Sequence, residues 1–364
     1  MSQQDGPQKV NLGIHGSALD LIGNTPLLSL DRIYNHFFNS HHLTPPKSCR
    51  LLAKVEFMQP GGSIKDRAAK KIIELAYNKG ELKKGMTVVE MTSGNMGAGL
   101  AVICAITGNP FIAVMSEGNS PERAKMLRGL GAQVVLVPQV TGSPGQVTGE
   151  DIEQAAKEAK RIALENGAYY VDQFNNEGSI LAHETTTGPE IWNQTNGTVN
   201  AFVACVGSGG TFIGTSKYLK RVSEGNVKCV AVEPLKCQVL QSTTTTTATT
   251  HDHLSQQSIK EKHVLQGTGY GFIPPHWDHA LVDDFEHVSD EEAIEYRQLL
   301  AEKEGLFVGY SAAANVVASL KYILKSLNSE IVKKVECRTM NDREEGNSNV
   351  VLVATVLCDT GLKY

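Results

Sequence analysis

Three short loops carry residues that could do chemistry, and the first contains a lysine. Residues 61–67 read Gly-Gly-Ser-Ile-Lys-Asp-Arg, and Ser63 and Asp66 have the spacing of a capping box at the start of a helix. Lys65 would then lie in the first helical turn, where the helix dipole and burial both lower the pKa of an amine. A neutral amine can attack an aldehyde and form a Schiff base. A solvated lysine at a helix start is the alternative, and this loop alone leaves both open.

The second loop could bind a small anion. Residues 91–97 read Met-Thr-Ser-Gly-Asn-Met-Gly and stand between a strand-like run and an apolar, helix-like run. The backbone amides at the start of such a helix can bind a carboxylate or a phosphate. Thr92, Ser93 and Asn95 add side-chain donors. An ordinary capped turn is the alternative.

The third loop is rich in glycine and follows another strand-like run. It consists of Gly207, Ser208, Gly209, Gly210 and Thr211. Glycine lets the backbone approach a ligand closely, and loop amides at a helix start suit a phosphate. No Gly-Lys-Ser/Thr sequence follows, and Phe212 breaks the GxGxxG pattern, so nucleotide binding is poorly supported.

The three loops together indicate one kind of cofactor. A reactive lysine, a small-anion loop and a phosphate loop are what a pyridoxal phosphate enzyme that handles amino acids needs. Lys65 would hold the aldehyde, the glycine loop the cofactor phosphate, and the loop around Ser93 the carboxylate of the substrate.

Alternating strand-like and helix-like runs must position these loops. The patterns predict strands at 51–57, 87–91, 111–115, 134–137, 201–206, 227–232 and 350–357, and helices at 66–79, 98–107, 121–130, 151–166 and 212–221. Such alternation predicts an α/β fold with mainly parallel, buried strands flanked by helices. Residues 36–49 are expected to form an exposed loop.

A domain boundary is predicted near residue 175. Residues 50–175 would form a smaller α/β domain with the substrate loop, and residues 11–49 with 176–364 a larger domain with the phosphate site. Residues 241–253 and 336–349 are low-complexity or strongly polar and are expected to be surface insertions.

Composition excludes several classes of function. The 364 residues are 41% hydrophobic and 20% charged, with a net charge of -5, and the sequence pI is near 6.1. This charge gives no general attraction to nucleic acid or to an anionic membrane. Seven scattered cysteines without a CxxC pair indicate reduced thiols and a cytoplasmic protein. The polar first residues argue against a secretory signal, and the apolar run 100–115 is too short and broken to span a bilayer.

The sequence closely resembles the cysteine synthase and cystathionine β-synthase family, whose members are fold-type II pyridoxal phosphate enzymes with a tryptophan synthase β-like fold. The resemblance runs from about residue 21 to 364. It is carried by ordered motifs, namely Ile22-Gly-Asn-Thr-Pro26, Gly-Gly-Ser-Ile-Lys-Asp-Arg67, Thr-Ser-Gly-Asn95, Asp-Gln-Phe174, Thr-Thr-Gly-Pro-Glu-Ile191, Gly-Ser-Gly-Gly-Thr211, Gly-Thr-Gly-Tyr-Gly-Phe-Ile-Pro274 and Gly-Leu-Phe-Val-Gly-Tyr-Ser311.

The resemblance implies a role for each matching residue. Lys65 matches the Schiff-base lysine, which also takes the α-proton, and Asn95 the residue that hydrogen-bonds the cofactor's phenolic oxygen. Thr92, Ser93 and Gln173 match the set that binds the substrate carboxylate. The loop from Gly207 to Thr211 matches the phosphate cradle, and Ser311 the hydroxyl that faces the pyridine nitrogen. A hydroxyl there makes the ring a weaker electron sink, which favours β-elimination.

The implied reaction is a ping-pong β-replacement, in which O-acetylserine loses acetate and sulfide adds to give L-cysteine. Cystathionine β-synthase and β-cyanoalanine synthase activities are the enzymatic alternatives, and a pseudoenzyme that binds another protein is the non-enzymatic one. The resemblance also suggests a homodimer and allows a complex with serine acetyltransferase.

A few positions depart from the family pattern or carry a weaker signal. Met96 stands where the family usually has Thr, Tyr270 is more typical of cystathionine β-synthases, and Ala313 replaces a common glycine. Both Met96 and Tyr270 are candidate substrate contacts. His183 is expected to be structural, and the loose group His251, His253 and His263 is not expected to bind a metal.

Overall fold

Two β-sheets organise the chain. The computed structural model describes residues 15–142, 147–242, 262–327 and 350–363. The strands are β1 (Leu27–Ser29), β2 (Cys49–Val55), β3 (Val88–Met91), β4 (Phe111–Ser116), β5 (Gln133–Val137), β6 (Tyr169–Tyr170), β7 (Val199–Cys205), β8 (Lys228–Pro234), β9 (Asp284–Val288) and β10 (Val351–Leu357).

Helices connect and cover these strands. They are α1 (Asp31–Ser40), α2 (Lys65–Lys79), α3 (Asn95–Thr107), α4 (Pro121–Gly129), α5 (Gly149–Glu165), α6 (Gly178–Ala182), α7 (Gly188–Gln194), α8 (Gly210–Val222), α9 (Val239–Ser242), α10 (Asp290–Leu299) and α11 (Tyr310–Leu327). The predicted helices and strands are present, with ends that differ by a few residues. In the parts of the chain given above, no helix is long and apolar enough to cross a membrane.

One sheet has six strands in the order β1-β2-β10-β7-β8-β9, and the other has four in the order β5-β4-β3-β6. Among the strand pairs of the described residues, β1–β2 is the one antiparallel pair. This is the predicted α/β architecture with mainly parallel strands. The carboxyl ends of parallel strands meet at one edge of a sheet, and ligands bind outside that edge. The loops after β3 and β7 are the second and third loops of the sequence analysis.

The start of the predicted smaller domain needs a correction. Residue 50 was expected to open that domain, but β2 pairs in parallel with β10 along its whole length, from Cys49 opposite Val351 to Val55 opposite Leu357. The four-stranded sheet therefore draws its strands only from residues 88–170. A short apolar run such as β2 does not reveal which sheet it joins, because its partner lies some 300 residues away in the sequence.

Only part of residues 36–49 forms the expected exposed loop, because residues 36–40 belong to α1 and residue 49 begins β2, which leaves residues 41–48 as the loop. Ile33, Tyr34, Phe37 and Phe38 of that helix are buried, at 0%, 5%, 3% and 0% exposure. Their spacing is that of one apolar helix face. The polar and histidine residues between and after them hid this periodicity. The two expected surface insertions lie outside the described residues: all of 336–349, and all of 241–253 except residues 241 and 242.

The capping box predicted from Ser63 and Asp66 is also wrong. The residue before α2 is Ile64, which carries no side-chain cap, and the Ser63 hydroxyl accepts from the Lys65 amide at 3.3 Å. The Asp66 carboxylate turns back and accepts from the Gly61 amide. It therefore closes the loop of residues 61–66, and Lys65 is the first residue of the helix.

A buried ionic network fixes α2 against the six-stranded sheet. The Arg67 guanidinium is 3% exposed and binds both oxygens of Glu56, at 2.7 and 2.8 Å, and both oxygens of Glu190, at 2.6 and 2.8 Å. Lys54 adds a second cation, with its ammonium 2.6 Å from Glu190. Two positive and two negative side chains thus balance. The Thr25 hydroxyl donates to the Glu56 carboxylate and accepts from the Arg67 guanidinium.

Removal of Arg67 should destabilise the protein strongly. Arg67→Ala leaves the buried Glu56 carboxylate without its cation, a change that typically costs about 3–5 kcal/mol. Chemical denaturation measures the loss. Lys71→Ala is the matched control on the same helix, because its ion pair with Glu74 lies at the surface and is worth under about 1 kcal/mol. Equal losses in the two variants would contradict a special role for the buried network.

Candidate active site

Lys65 reaches from α2 to the glycine-rich loop after β7. Its ammonium donates to the Ser208 hydroxyl at 3.1 Å. Burial lowers the pKa of Lys65, while Cys358 and Glu90 nearby act in the opposite direction. The start of α2 is itself held by the segment after β10, because the Ile64 amide donates to the Cys358 carbonyl at 2.8 Å. The structure therefore brings the predicted lysine and the predicted phosphate loop together.

The glycine-rich loop is a candidate anion cradle at the start of α8, a helix of 13 residues. Gly209 has a φ of +90°, which an L side chain rarely adopts. In the described part of the chain, the amides of Gly209, Gly210 and Thr211 meet no acceptor, so they are available to a ligand. A Cβ on Gly207 would lie 2.2 Å from the Gly267 carbonyl oxygen. The loop therefore has no room for a side chain at its first position, and its amide donors suit a phosphate.

His183 contacts Thr211, the last residue of this loop. Its Nε2 lies 3.2 Å from the Thr211 hydroxyl and its Nδ1 2.9 Å from the Thr187 hydroxyl. Burial, followed by the charge of Arg67, lowers the pKa of His183 to about 3. The imidazole is therefore neutral and orients a cradle residue, in line with the structural role expected for it.

The loop after β3 combines a capped helix start with open amides. The Thr92 hydroxyl is buried and accepts from the Gly97 amide at 3.1 Å, so Thr92 itself caps α3. The amides of Asn95 and Met96 have no acceptor among the residues that the structure describes. The Ser93 hydroxyl accepts from Arg123 at 3.3 Å. A carboxylate can therefore bind to the backbone amides and to the Ser93 hydroxyl, and the Thr92 hydroxyl, which here only accepts, keeps its hydrogen to donate.

Asn95 is bound to the segment that follows the last strand. Its Nδ2 donates to the Asp359 carboxylate at 2.7 Å, and its Oδ1 accepts from the Lys363 ammonium at 2.8 Å. Lys363 also donates to the Gly61 carbonyl at 2.7 Å, next to the lysine loop. The amide of Asn95 thus joins the small-anion loop to residues from the other end of the sequence.

Gln173 is held near the small-anion loop by a buried carboxylate. Glu90, on β3, is 1% exposed and accepts from the amides of Asp172 at 3.0 Å and Gln173 at 3.5 Å. Burial raises the pKa of Glu90 to about 8, although these hydrogen bonds oppose the shift. Two of the predicted carboxylate-binding segments are therefore tied to one another through Glu90.

Ser311 lies in the first turn of α11 and is 8% exposed. Cys358, just after β10, has a thiol whose pKa is raised to about 12 by burial and then by the charge of Asp359. A hydrogen bond with the Ser311 side chain and the charge of Lys65 act to lower the pKa of this thiol. Cys358 is therefore close to both Ser311 and Lys65. The predicted partner of the pyridine nitrogen is therefore near the segment after β10 that also holds the start of α2.

Of the three remaining predicted positions, one lies beside the cleft and two lie in the hydrophobic core. Tyr270 is 37% exposed and stacks on Phe272, with 5.7 Å between ring centroids, and Phe174 meets its edge at 5.4 Å. Met96 is 3% exposed and Ala313 fully buried, and both side chains pack in hydrophobic clusters. The structure thus places Tyr270 beside the cleft, and it places the Met96 and Ala313 side chains in the core.

The histidine group gives no metal site among the described residues. His263 Nε2 lies 3.2 Å from the Gly269 carbonyl oxygen, while His251 and His253 lie outside the described residues. No group of three or more His, Cys, Asp or Glu in the described ranges could hold a metal ion.

Sequence reasoning missed four residues that shape this site, namely Glu90, Arg123, Asp359 and Lys363. Glu90 interrupts the apolar strand β3, and a charge within a buried strand is a usable signal of function. Arg123, Asp359 and Lys363 carried no local signal, because their contacts cross long stretches of sequence.

Comparison with known proteins agrees with this geometry. Residues 18–332 match the family model described as "Pyridoxal-phosphate dependent enzyme". Cysteine synthase 1 of Neurospora crassa is 37% identical over 355 residues, which cover 97% of this chain and 82% of that protein. Cysteine synthase A of Escherichia coli K12 is 38% identical over 304 residues, 82% of this chain and 84% of that protein.

A solved structure has the same fold. The O-acetylserine-dependent cystathionine β-synthase of Helicobacter pylori matches with a TM-score of 0.76 and 30% identity, over 97% of this chain and 98% of that chain. The predicted fold type and cofactor class are thereby confirmed. The chain belongs to the family of pyridoxal-phosphate-dependent enzymes.

Proposed function

We propose that the protein is a cysteine synthase, which converts O-acetylserine and sulfide into L-cysteine and acetate. The observation that carries this proposal is the contact between Lys65 and Ser208, because it places an amine whose pKa is lowered by burial directly beside the proposed phosphate cradle. The two relatives named as cysteine synthases support the choice of reaction, since each covers more than four-fifths of this chain.

The residues present fit pyridoxal phosphate. The amides of Gly209, Gly210 and Thr211 would hold its phosphate, Ser311 its pyridine nitrogen and Lys65 its aldehyde. Asn95 would bind the phenolic oxygen, which requires its Nδ2 to exchange Asp359 for the cofactor. When bound, the cofactor withdraws electrons from the α-carbon of an attached amino acid.

The chain's own residues would orient the amino acid and exclude water. Its carboxylate would bind to the amides of Asn95 and Met96, to the Ser93 hydroxyl and to Gln173. In this proposal Met96 takes part through its backbone only, because its side chain is in the core. Tyr270 and its aromatic neighbours would cover the β-carbon side of the substrate.

Lys65 would move the proton that the reaction requires. Its lowered pKa favours the neutral amine, which can take the α-proton of the substrate. Acetate then leaves with the electron pair of the Cβ–O bond. After sulfide has formed the Cβ–S bond, the Lys65 ammonium returns the proton to the α-carbon. Its contact with the Ser208 hydroxyl would hold the amine in position between these steps.

The wider setting is part of the proposal. We place the protein in the cytoplasm as a homodimer, with an optional complex with serine acetyltransferase, as the family resemblance suggests. No disulfide joins the cysteines that the structure describes, as a reducing compartment would favour. We also propose that the four-stranded sheet with its helices is the smaller domain, ending near residue 175.

Loss of the lysine should abolish the reaction. Lys65→Ala removes both the attachment of the cofactor aldehyde and the acid–base group, so cysteine formation should fall by more than about 10³-fold. The measurements are the assay of cysteine from O-acetylserine and sulfide, and the change in visible absorbance when O-acetylserine is added to the holoprotein. Lys79→Ala, at the exposed end of the same helix, should behave like the unchanged protein. A colour change that survives in Lys65→Ala would refute the assignment of Lys65.

A methyl group in the phosphate cradle should weaken cofactor binding. In Gly207→Ala the new Cβ meets the Gly267 carbonyl at 2.2 Å, so the loop has to shift. Overpacking of about 1–3 kcal/mol corresponds to a loss of about 5- to 150-fold in cofactor affinity. Titration of the apoprotein with pyridoxal phosphate measures this loss. Gly149→Ala is the control, because a Cβ there meets nothing within 4 Å. Equal affinities would show that residue 207 is not part of the cradle.

Glu90 should make stability depend on pH. Its pKa of about 8 lies above the ordinary 4.5, so between these values the folded protein holds a proton that the unfolded chain has released. The free energy of unfolding should therefore fall as the pH rises from about 5 to about 8, by about 1.4 kcal/mol per pH unit at most. Glu90→Gln should flatten this fall in denaturation experiments. Glu153→Gln, on exposed α5, should leave it intact, because the pKa of Glu153 is lowered and lies outside this range.

A further inference from the structure

The segment after β10 runs alongside the lysine loop. The Ile64 amide donates to the Cys358 carbonyl at 2.8 Å, and the next pair along, Ser63 and Asp359, forms an antiparallel bridge. The chain therefore continues past its last strand as a short pairing with the loop that precedes α2. This pairing brings Lys363 next to the start of the lysine loop.

Arg297 of α10 holds the end of this segment in place. Its guanidinium donates to the Gly361 carbonyl at 3.1 Å. It also lies over the rings of Phe307 and Tyr310, with its Cζ 4.6 Å from each ring centroid. The backbone two residues before Lys363 is thus fixed, so the Lys363 side chain extends from an anchored base.

The Lys363 ammonium lies between the lysine loop and the small-anion loop. It donates to the Gly61 carbonyl at 2.7 Å and to Asn95 Oδ1 at 2.8 Å. Burial lowers the pKa of Lys363, and the charges of Asp359 and Asp66 act in the opposite direction. One cation therefore joins two loops that the proposed function assigns to the cofactor.

The contacts of Asn95 determine which end of its amide donates. An ammonium only donates, so it must face the amide oxygen, and the Asp359 carboxylate accepts from Nδ2 at 2.7 Å. Rotation about the last side-chain bond of a free asparagine would exchange oxygen and nitrogen, because this torsion is roughly two-fold. A reversed amide would turn an acceptor toward an anionic phenolic oxygen. Held through its oxygen, Asn95 keeps its nitrogen as the end that exchanges partners.

We propose that Lys363 is a positioning residue of the cofactor site, whose ammonium fixes the Asn95 amide so that its nitrogen donates to the phenolic oxygen of pyridoxal phosphate. The inference rests on the proposed cysteine synthase function and extends it to a residue that this function leaves without a role. The charge of Lys363 also polarises the amide, which strengthens the donor at Nδ2.

The first test is a titration of the apoproteins with pyridoxal phosphate. Lys363→Met keeps the length of the side chain and removes its charge and its donors. The cofactor affinity should fall by about tenfold or more, as the loss of a hydrogen bond to a charged group implies. The visible absorbance maximum of the holoprotein should shift as well, because the phenolic oxygen loses its oriented donor. Leu362→Ala, at the neighbouring position and 83% exposed, is the matched control and should change neither quantity.

A double-mutant cycle separates positioning from a general effect on the fold. Asn95→Ala removes the amide on which Lys363 acts. In that background Lys363→Met should change the cofactor affinity by about twofold or less, whereas an effect through Gly61 or through the fold would persist in full. Lys363→Arg retains a cationic donor and the charge balance of the segment, so its affinity should fall less than that of Lys363→Met.

Each contrary result has a distinct meaning. Unchanged affinity and absorbance in Lys363→Met would overturn the inference. So would an equal fall in the Asn95→Ala background, or an equal fall in Lys363→Arg, because Lys363 would then support only the fold. In all three cases cysteine formation by the unchanged holoprotein would still support the proposed function. If the unchanged protein binds no pyridoxal phosphate, the proposed function fails, and this inference fails with it.

Discussion

The position of Lys65, the proposed Schiff-base lysine, depends on a guanidinium two residues further along the chain. Arg67 is clamped between Glu56 and Glu190, and through them α2 is joined to the end of β2 and to α7. A planar group with five donors can satisfy two carboxylates and two hydroxyls at once, which a lysine cannot do. Because Lys65 is the first residue of the same helix, any rotation of α2 that moved Lys65 away from Ser208 would also break this clamp. Rigidity at Lys65 is thus obtained from charges that take no part in the chemistry.

The cleft is built from loops of both sheets, and small residues let these loops meet. The phosphate cradle touches the segment around Gly267, and α8 approaches α6 so closely that a Cβ on Gly210 would lie 2.5 Å from the Ser179 carbonyl oxygen. The loop after β3 reaches the same space from the four-stranded sheet. Arg123 and Asn95 then join parts of the chain across the cleft, while Glu90 joins two neighbouring segments of the four-stranded sheet. Polar contacts of this kind hold the loops in place without filling the space that a ligand needs.

Local patterns in the sequence predicted the parts of this site that are local. The lysine loop, the glycine loop and the strand–loop–helix around Ser93 each have their signal within a few residues. The predictions that are wrong concern structure set by a contact with a distant residue or with an earlier residue of the same loop. Asp66 closes its own loop instead of capping α2, and Phe37 and Phe38 form a helix face against a core that the local sequence does not reveal. The contacts of Arg123 with Ser93, Glu90 with Gln173 and Asn95 with Asp359 join residues 30, 83 and 264 positions apart, so no short window contains both partners.

The place of β10 in the six-stranded sheet constrains how the protein is made. This strand follows every other described strand in the chain, yet it lies between β2 and β7, and the residues after it contact Asn95 and the lysine loop. During synthesis the four-stranded sheet has all its strands once residue 170 has left the ribosome. The six-stranded sheet has a gap at its centre until residues 351–357 emerge. The cleft can therefore close only after residues 351–357 have been translated, and a nascent chain exposes the edges of β2 and β7 until then.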